Sequence, residues 1–307
     1  MNKIFKVIWS KSKQCYVVVS EVAKNNTGKK KIVVASILAG LAMLTSGGVS
    51  NVVAVSTIPF TDKPSTALAN GTVKNTTTNG VAIGNAAYSE SNQSIAIGFR
   101  SLASGTAMGG TIQPSVAIGA GAHAEANNTV AIGTVAENRA SYSVSLGNQS
   151  NVTSGSDYGI AVGYQAKVSA IHGMALGERA ASSGQISVAI GANAKAAGAN
   201  SYAGGFNSAS SGASSVALGE SATSSGDTSV AIGKNTVASG GDAVSIGASS
   251  QATGSDSLAL GKNARANNGD TIAIGQDSVA NSLNGVALGK TSKATGASAT
   301  ALSLIHI

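Results

Sequence analysis

Three aspartates, Asp242, Asp256 and Asp270, recur every fourteen residues, and Asn284 continues the series. Each stands two residues before the apolar start of a short phrase that itself recurs. Carboxylates at equal places in successive turns would form a column that could hold cations. Like charges so placed repel modestly unless something neutralises them. Lys234, Lys262 and Lys290, each directly after the phrase's glycine, are the candidate counter-charges. The alternative role is turn capping, in which an aspartate hydrogen-bonds its own backbone. The histidines His123, His172 and His306 are scattered, and the many serines recur as wall residues. Ser-His-Asp chemistry needs a cleft that a narrow repetitive rod does not supply. No catalytic residue, cofactor site or metal site is assigned, and the expected protein is not an enzyme.

The element that must position these residues is the phrase itself, (V/I/L)-A-(I/L)-G. It stands as VAIG at 81–84, 116–119, 130–133 and 188–191, IAIG at 95–98, and VALG at 216–219 and 286–289. Sixteen such tetrads end in glycine when degenerate ones are counted, TAMG at 106–109 and YAGG at 202–205 among them. From Gly163 to Gly289 every step between closing glycines is fourteen residues. A fixed period implies stacked copies of one unit. In Ser229–Gly240, Val230 and Ile232 fall on one side of a short strand and Ala231 on the other. Both sides are apolar, so one should line the lumen of a small coil and the other needs a partner. Gly233 permits a turn. A second short strand follows, with small residues at Thr236 and Ala238 and a variable, often polar residue between them, as at Lys167, Lys195, Arg265 and Lys293. That alternation belongs to a strand with one wet face. Gly147 to Gly163 is sixteen residues, which predicts an outward bulge near Ser154–Tyr158 and a candidate binding feature there. Gly204 removes a large apolar side chain, and Phe206 is a candidate to fill the gap. Tyr88, Phe99, Tyr142, Tyr158, Tyr164, Tyr202 and Phe206 are the predicted exposed aromatics, suited to contacting a partner protein.

Composition fits this reading. Aromatic residues are 4% and charged residues 11% of the chain, too few for an ordinary two-domain enzyme core of this length. The net charge of +7 resides at one end: residues 1–63 hold nine lysines and two acids, and residues 64–307 hold eleven basic and eleven acidic residues. The neutral repeat region removes the main argument for a nucleic-acid partner. The single cysteine, Cys15, lies in the basic leader, so rigidity must come from a backbone ladder or from oligomerisation. Positive residues ahead of the apolar run Ile32–Leu44 mark a secretory signal segment, with Lys29–Lys31 remaining cytoplasmic. Cleavage is expected near Ser46–Ser50, near Ala54–Ser56, or as late as Ala67-Leu68-Ala69.

Two stretches carry a family resemblance. MNKIFKVIW at 1–9 and VVVSEVAK at 17–24 resemble the extended signal peptide region of large Gram-negative autotransporters. S-V-A-I-G at Ser115–Gly119, Ser187–Gly191, Ser229–Gly233 and, loosely, Ser257–Gly261 resembles the head repeat of trimeric autotransporter adhesins of the YadA-like type. The resemblance implies an all-β, left-handed parallel β-roll or solenoid of fourteen-residue rungs, with three chains forming a trimeric head. It implies a surface adhesin that attaches to host matrix protein, host cells or other bacteria, exported through the inner membrane to the outer membrane of a Gram-negative-type cell. A structural spacer within a larger surface fibre is the alternative. The expected division is 1–31 extended signal region, 32–56 apolar signal segment (cleavage up to 69), 57–80 lead-in, 81–303 head repeats and 304–307 a truncated or artefactual end. Implied partners are two sister chains and a host protein, with membrane anchoring left to a C-terminal β-barrel that this sequence does not contain.

Overall fold

A seven-residue pattern builds the repeat. In Ser229–Asp242 the first half reads Ser-Val-Ala-Ile-Gly-Lys-Asn and the second Thr-Val-Ala-Ser-Gly-Gly-Asp. The first and third residues of each half are buried, and the second and fourth face outward. The seventh takes a left-handed backbone conformation, at Asn235 with φ 55° and at Asp242 with φ 54°. Each half is therefore a short strand and a corner, and two halves close one fourteen-residue rung.

The computed structural model describes residues 79–105 and 113–303 in full, and the backbones of the strands Phe5–Ser10, Cys15–Ser20, Thr66–Leu68 and Thr72–Val73. The chain divides into two units, Met1–Val52 and Val53–Ile307. In the first, Phe5–Ser10 and Cys15–Ser20 pair antiparallel, with Trp9 opposite Tyr16. The apolar run 32–44, the segment 106–112 and the end 304–307 lie outside the described residues.

In the second unit the tetrad strands stack in parallel into one column of seventeen, from Thr66–Leu68 to Thr300–Leu302. The column is an open ladder: Thr66–Leu68 pairs Val81–Ile83 and Thr300–Leu302 pairs Val286–Leu288, each on one side alone. The two-residue strands stack beside it as a second parallel column of sixteen, from Thr72–Val73 to Lys293–Ala294. At about 4.8 Å per step, seventeen strands give a rod about 77 Å long. Fifteen tetrads close on a glycine in this ladder. TAMG at 106–109 is not a sixteenth, because Ile95–Ile97 pairs directly with Val116–Ile118. Gly98 to Gly119 is twenty-one residues, one rung plus seven. The lead-in already contributes a rung, through Thr66–Leu68 and Thr72–Val73.

The rung is so narrow that its lumen takes small side chains. Ala82, Ala96, Ala117, Ala131 and their successors in the tetrads are fully buried. Serines fill much of the rest and pair across the lumen five residues apart: Ser182–Ser187, Ser210–Ser215 and Ser224–Ser229 at 2.6 Å, Ser145–Ser150 at 2.7 Å. These pairs fall in both halves of the rung, as the sevenfold pattern requires. Larger side chains also enter the lumen: the threonines Thr129, Thr236 and Thr271, and Asn138, Val152 and Val168. Asn138 is satisfied there by donating to Val130 O at 3.1 Å and accepting from Ser143 Oγ and from the Ala140 amide. Val152 and Val168 fit because Gly159 and Gly173 stand opposite. A Cβ on Gly159 would lie 2.9 Å from Val152 Cγ1, and one on Gly173 would lie 2.8 Å from Val168 Cγ1.

The tetrad glycines are fixed twice over. All fifteen have φ between 107° and 138°, a region closed to L side chains. A Cβ there would also strike the equivalent residue one rung on, as on Gly205, 2.5 Å from Gly219 O. This is the physical origin of the fourteen-residue register.

Candidate interaction surface

Each rung has two outward walls and two corners. The first wall is the outer face of the tetrad column. Alanine points inward, so the large residues on either side of it point out, and parallel pairing sets them in two apolar files. Val230 follows Val216 and precedes Val244; Ile232 lies between Leu218 and Ile246. They are half-buried by their neighbours in the file; within the array the more open, such as Leu260, are 39% exposed, and Leu302 at the last strand is 65% exposed. In a single chain this is a continuous apolar stripe far longer than soluble monomers carry. Tyr202 sits in the file between Val188 and Val216 and is half-buried. Its ring and Leu218 fill the space over Gly204, where a Cβ would lie 2.8 Å from the ring and 2.7 Å from Leu218 Cδ2. Phe206, expected to fill that gap, is exposed on the adjoining corner.

The second wall is the outer face of the short strands, and it is polar. On its fourth and fifth strands, His123–Ala124 and Glu137–Asn138, it carries an ion-pair network: Arg139 Nε meets Glu125 at 3.1 Å, Arg139 also meets Glu137 at 3.0 Å, and His123 Nδ1 lies 3.0 Å from Glu125. Hydrogen bonding to Glu125 and the charge of both glutamates raise the Arg139 pKa above its already high ordinary value, so this cation is permanent. Asn151 extends the network by donating to Glu137 at 2.9 Å. From residue 167 onward the wall's charged residues are Lys167, Lys195, Arg265 and Lys293, all exposed, as the alternation predicted. Tyr88, half-buried, also lies here.

The first corner follows the tetrad glycine, and the second precedes the next tetrad. Both turn through a left-handed residue, which suits asparagine and aspartate. The second corner admits unlikely occupants. Tyr142, Tyr158 and His172 take it on three successive rungs with φ between 55° and 61°. Their rings stack at 5.2 Å and 4.9 Å, within 10° of parallel. Tyr142 and Tyr158 are 54% and 50% exposed, and Ile186 continues the file. The two extra residues of the long rung, Ser154 and Gly155, bulge at this corner, as the spacing predicted. On the first corner the exposed aromatics are Phe99, Tyr164 and Phe206, with Arg100 over Phe99 and Arg179 over Tyr164.

Asp242, Asp256 and Asp270 do form a file, on the second corner, with φ of 54° to 55°. The proposed counter-charges are elsewhere: Lys234, Lys262 and Lys290 occupy the first corner, at the other end of the rung. Lys234 pairs there with Glu220 at 3.0 Å. Nor do the acids cap their own turns. Asp242 accepts from the Thr228 hydroxyl one rung back. Asp157 and Asp227, one place earlier in the corner, accept from the amides of Ser141 and Ala213 at 2.8 Å. They tie rung to rung. Among the described residues no three His, Cys, Asp or Glu side chains gather as a metal site. His123 lies on the polar wall and His172 in the aromatic file; His306 is outside the described residues.

The sequence reading missed the aromatic file, although its signal was present: Tyr142, Tyr158 and His172 share one place in the sevenfold pattern once the bulge is allowed for. It also left open which face of the tetrad looks inward.

Comparisons with known families match the leader and the rod separately. Residues 1–49 match the extended signal peptide of the type V secretion system. Eight segments between residues 78 and 302 match the YadA head domain repeat, most of them spanning two rungs each. No curated protein matches the chain. A parallel β-solenoid of fourteen-residue rungs, behind a type V export leader, places this chain in the family of trimeric autotransporter adhesins with YadA-type head repeats.

Proposed function

We propose that the chain forms the head of a homotrimeric cell-surface adhesin, as a left-handed β-roll whose apolar tetrad wall is covered by two sister copies. One observation carries this reading: the two outward walls of the same rung differ in kind. The tetrad wall is apolar along its length, while the short-strand wall is polar and charged. Burying one Val or Ile is worth roughly 1.5–3 kcal/mol when complete. Even the remaining exposure of two files of such residues along the rod is a large driving force for association. A closed cyclic assembly hides it without leaving a sticky remainder. The polar wall then remains to meet host matrix protein, host cells or neighbouring bacteria, through many weak contacts that gain from avidity. The rod acts by presentation and binding, with no chemical step.

Two measurements test the reading. Sedimentation of the exported full chain gives a trimer; a folded monomer overturns the assembly. Adherence of cells displaying the chain then falls when Lys167, Lys195 and Arg265 of the polar wall are replaced together by serine while the trimer persists. Unchanged adherence leaves the rod as a spacer within a longer fibre.

A further inference from the structure

The two edges of the apolar wall carry opposite chemistry, and this bears on how copies meet. One edge is the corner after each tetrad glycine and the other is the corner before each tetrad. They stand at opposite ends of a three-residue strand, about 10 Å apart along it. Between residues 226 and 290 the second corner exposes Asp227, Asp242, Asp256 and Asp270 and no cation. Over the same rungs the first corner exposes Lys234, Lys262 and Lys290, and its one acid, Asp277, is half-buried and accepts from Asn263 at 2.8 Å. Lys262 makes no ion pair among the described residues, and neither do the four aspartates. Complementary charges stand on one chain at places where that chain cannot bring them together.

Resting on the homotrimer reading above, we propose that the partner for each edge is the opposite edge of a sister chain. The lysine corner of one copy lies along the aspartate corner of the next, and this fixes the copies parallel and at one height. Symmetry supplies the first step. When copies are related by rotation about an axis parallel to the rod, the right edge of one wall meets the left edge of its neighbour. When two rods pack antiparallel, like edges meet. Charge placed on opposite edges therefore favours the parallel arrangement and penalises the other, which is how interfaces reject wrong partners.

Height supplies the second step. Lys262 follows the strand Leu258–Leu260, Asp256 precedes it, and Asp270 precedes the next strand. A sister chain at the same height thus sets Lys262 between two carboxylates. Lys234 falls likewise between Asp227 and Asp242, braced from its own side by Glu220. Nearer the N-terminal end the second corner carries the stacked rings of Tyr142, Tyr158 and His172, and on the same rungs the first corner carries Asn148 and Gln149, Tyr164, and the exposed Glu178–Arg179 pair. The charge match is thus confined to the later rungs, and a shift of several rungs would bring the rings against the lysines and lose it.

The test uses two full-length variants in a Cys15→Ser background, one carrying Ser255→Cys and the other Lys262→Cys. Both positions are exposed, and neither is a left-handed residue. Each variant is produced alone and both are produced together, then treated with a short bis-maleimide and run on denaturing gels. Co-produced chains are expected to give covalent dimers, and either variant alone to give monomers. Sedimentation and circular dichroism are run beside the gels. Trimers that cross-link no better when co-produced than alone, or a single variant that yields dimers, overturn the edge pairing while leaving the trimer standing. Folded monomers in sedimentation overturn the trimer reading and this inference with it. A second arm reverses charge: Asp256→Lys with Asp270→Lys should lower trimer recovery several-fold, and Lys262→Asp added to them should restore it. Failure of that restoration, with the fold intact, also counts against the pairing.

Discussion

Replacing Gly198 by alanine isolates the contact that sets the rung spacing. Gly198 belongs to a second glycine file, at the second corner, running from Gly184 to Gly254. Its φ lies outside the left-handed region, so alanine is locally acceptable there. The added Cβ, however, would stand 1.9 Å from the carbonyl oxygen of Gly212, one rung on. An ordinary carbon–oxygen contact is about 3.3 Å, so the rungs must part by about 1.4 Å at that corner. The flanking ladder bonds are Ala197 N to Ser210 O at 2.8 Å, Tyr202 N to Ser215 O at 2.9 Å and Ser214 N to Ala199 O at 2.7 Å. Stretched by that amount they pass about 4 Å and cease to be hydrogen bonds. Two or three bonds at about 1 kcal/mol each put the cost at about 2–3 kcal/mol. In a stacked array the loss stays at one interface between rungs. Hydrogen exchange by mass spectrometry should show it as lost protection confined to about residues 195–215. The control is Gly241→Ala, where an added Cβ meets nothing within 4 Å; it should stay within about 0.5 kcal/mol of the parent. Equal protection in the two variants would refute the argument that backbone contact between glycines fixes the stacking.

Further substitutions probe the lumen and the leader. Gly173→Ser should destabilise by about 1–3 kcal/mol through overpacking against Val168, and adding Val168→Ala should recover most of the loss in denaturant melts, since serine faces a small residue in other rungs. Ser201 Oγ is buried without a partner: the residue five places earlier is Ala196, and it does not make the bond to the carbonyl three residues back that Ser257 makes to Gly254. Ser201→Ala should therefore leave stability unchanged or raise it by about 1 kcal/mol, and a lower melting temperature would contradict this. Cleavage after Ala69 would remove the strand Thr66–Leu68 from its pairing with Val81–Ile83. Mass spectrometry of the exported chain should accordingly find an N-terminus ahead of Thr66, and one after Ala69 would show that first rung to be dispensable. Calcium or a chelator should not shift the melting temperature, because each of Asp242, Asp256 and Asp270 stands alone on its rung; a shift abolished by Asp256→Asn would reinstate the cation column.

What was legible in the sequence follows from where the physics leaves no choice. The tetrad glycine is restricted by both φ and the rung beyond it, so it closes fifteen of the seventeen stacked strands, with Ala69 and Ser303 following only the two end ones, and reveals the period. The lumen accepts little beyond alanine and serine, so the inward places are equally plain. Corner places are looser. Asn, Ser, Gln, Arg, Tyr and Ile all occupy left-handed positions here, and this variety hides the sevenfold half-repeat that Thr236-Val237-Ala238-Ser239-Gly240 shares with Ser229–Gly233. TAMG at 106–109 shows the limit of a motif. It has the right letters, but the pairing of Ile95–Ile97 with Val116–Ile118 leaves no step for it. The lysines assigned to the aspartate file shared its period but not its corner, because period gives height along the rod and says nothing of angle around it.

That separation of height from angle governs how such a rod can acquire function. Stability resides in the ladder and the lumen, where nearly every place is determined. The corners and the polar wall carry little of it and can vary rung by rung. A substitution at one corner place therefore changes one spot on a vertical file, and a run of such changes writes a stripe: rings at Tyr142, Tyr158 and His172, carboxylates at Asp242, Asp256 and Asp270. In the proposed trimer, stripes on the two edges of the apolar wall would act on sister chains, because those edges adjoin the surface that the trimer covers. Stripes on the polar wall, where Lys167, Lys195, Arg265 and Lys293 stand clear, face outward whatever the assembly. Specificity for a host partner should accordingly follow the polar wall, and specificity for self should follow the corners. Exchanging polar-wall residues between two heads of this family should then transfer adherence without altering which chains assemble together.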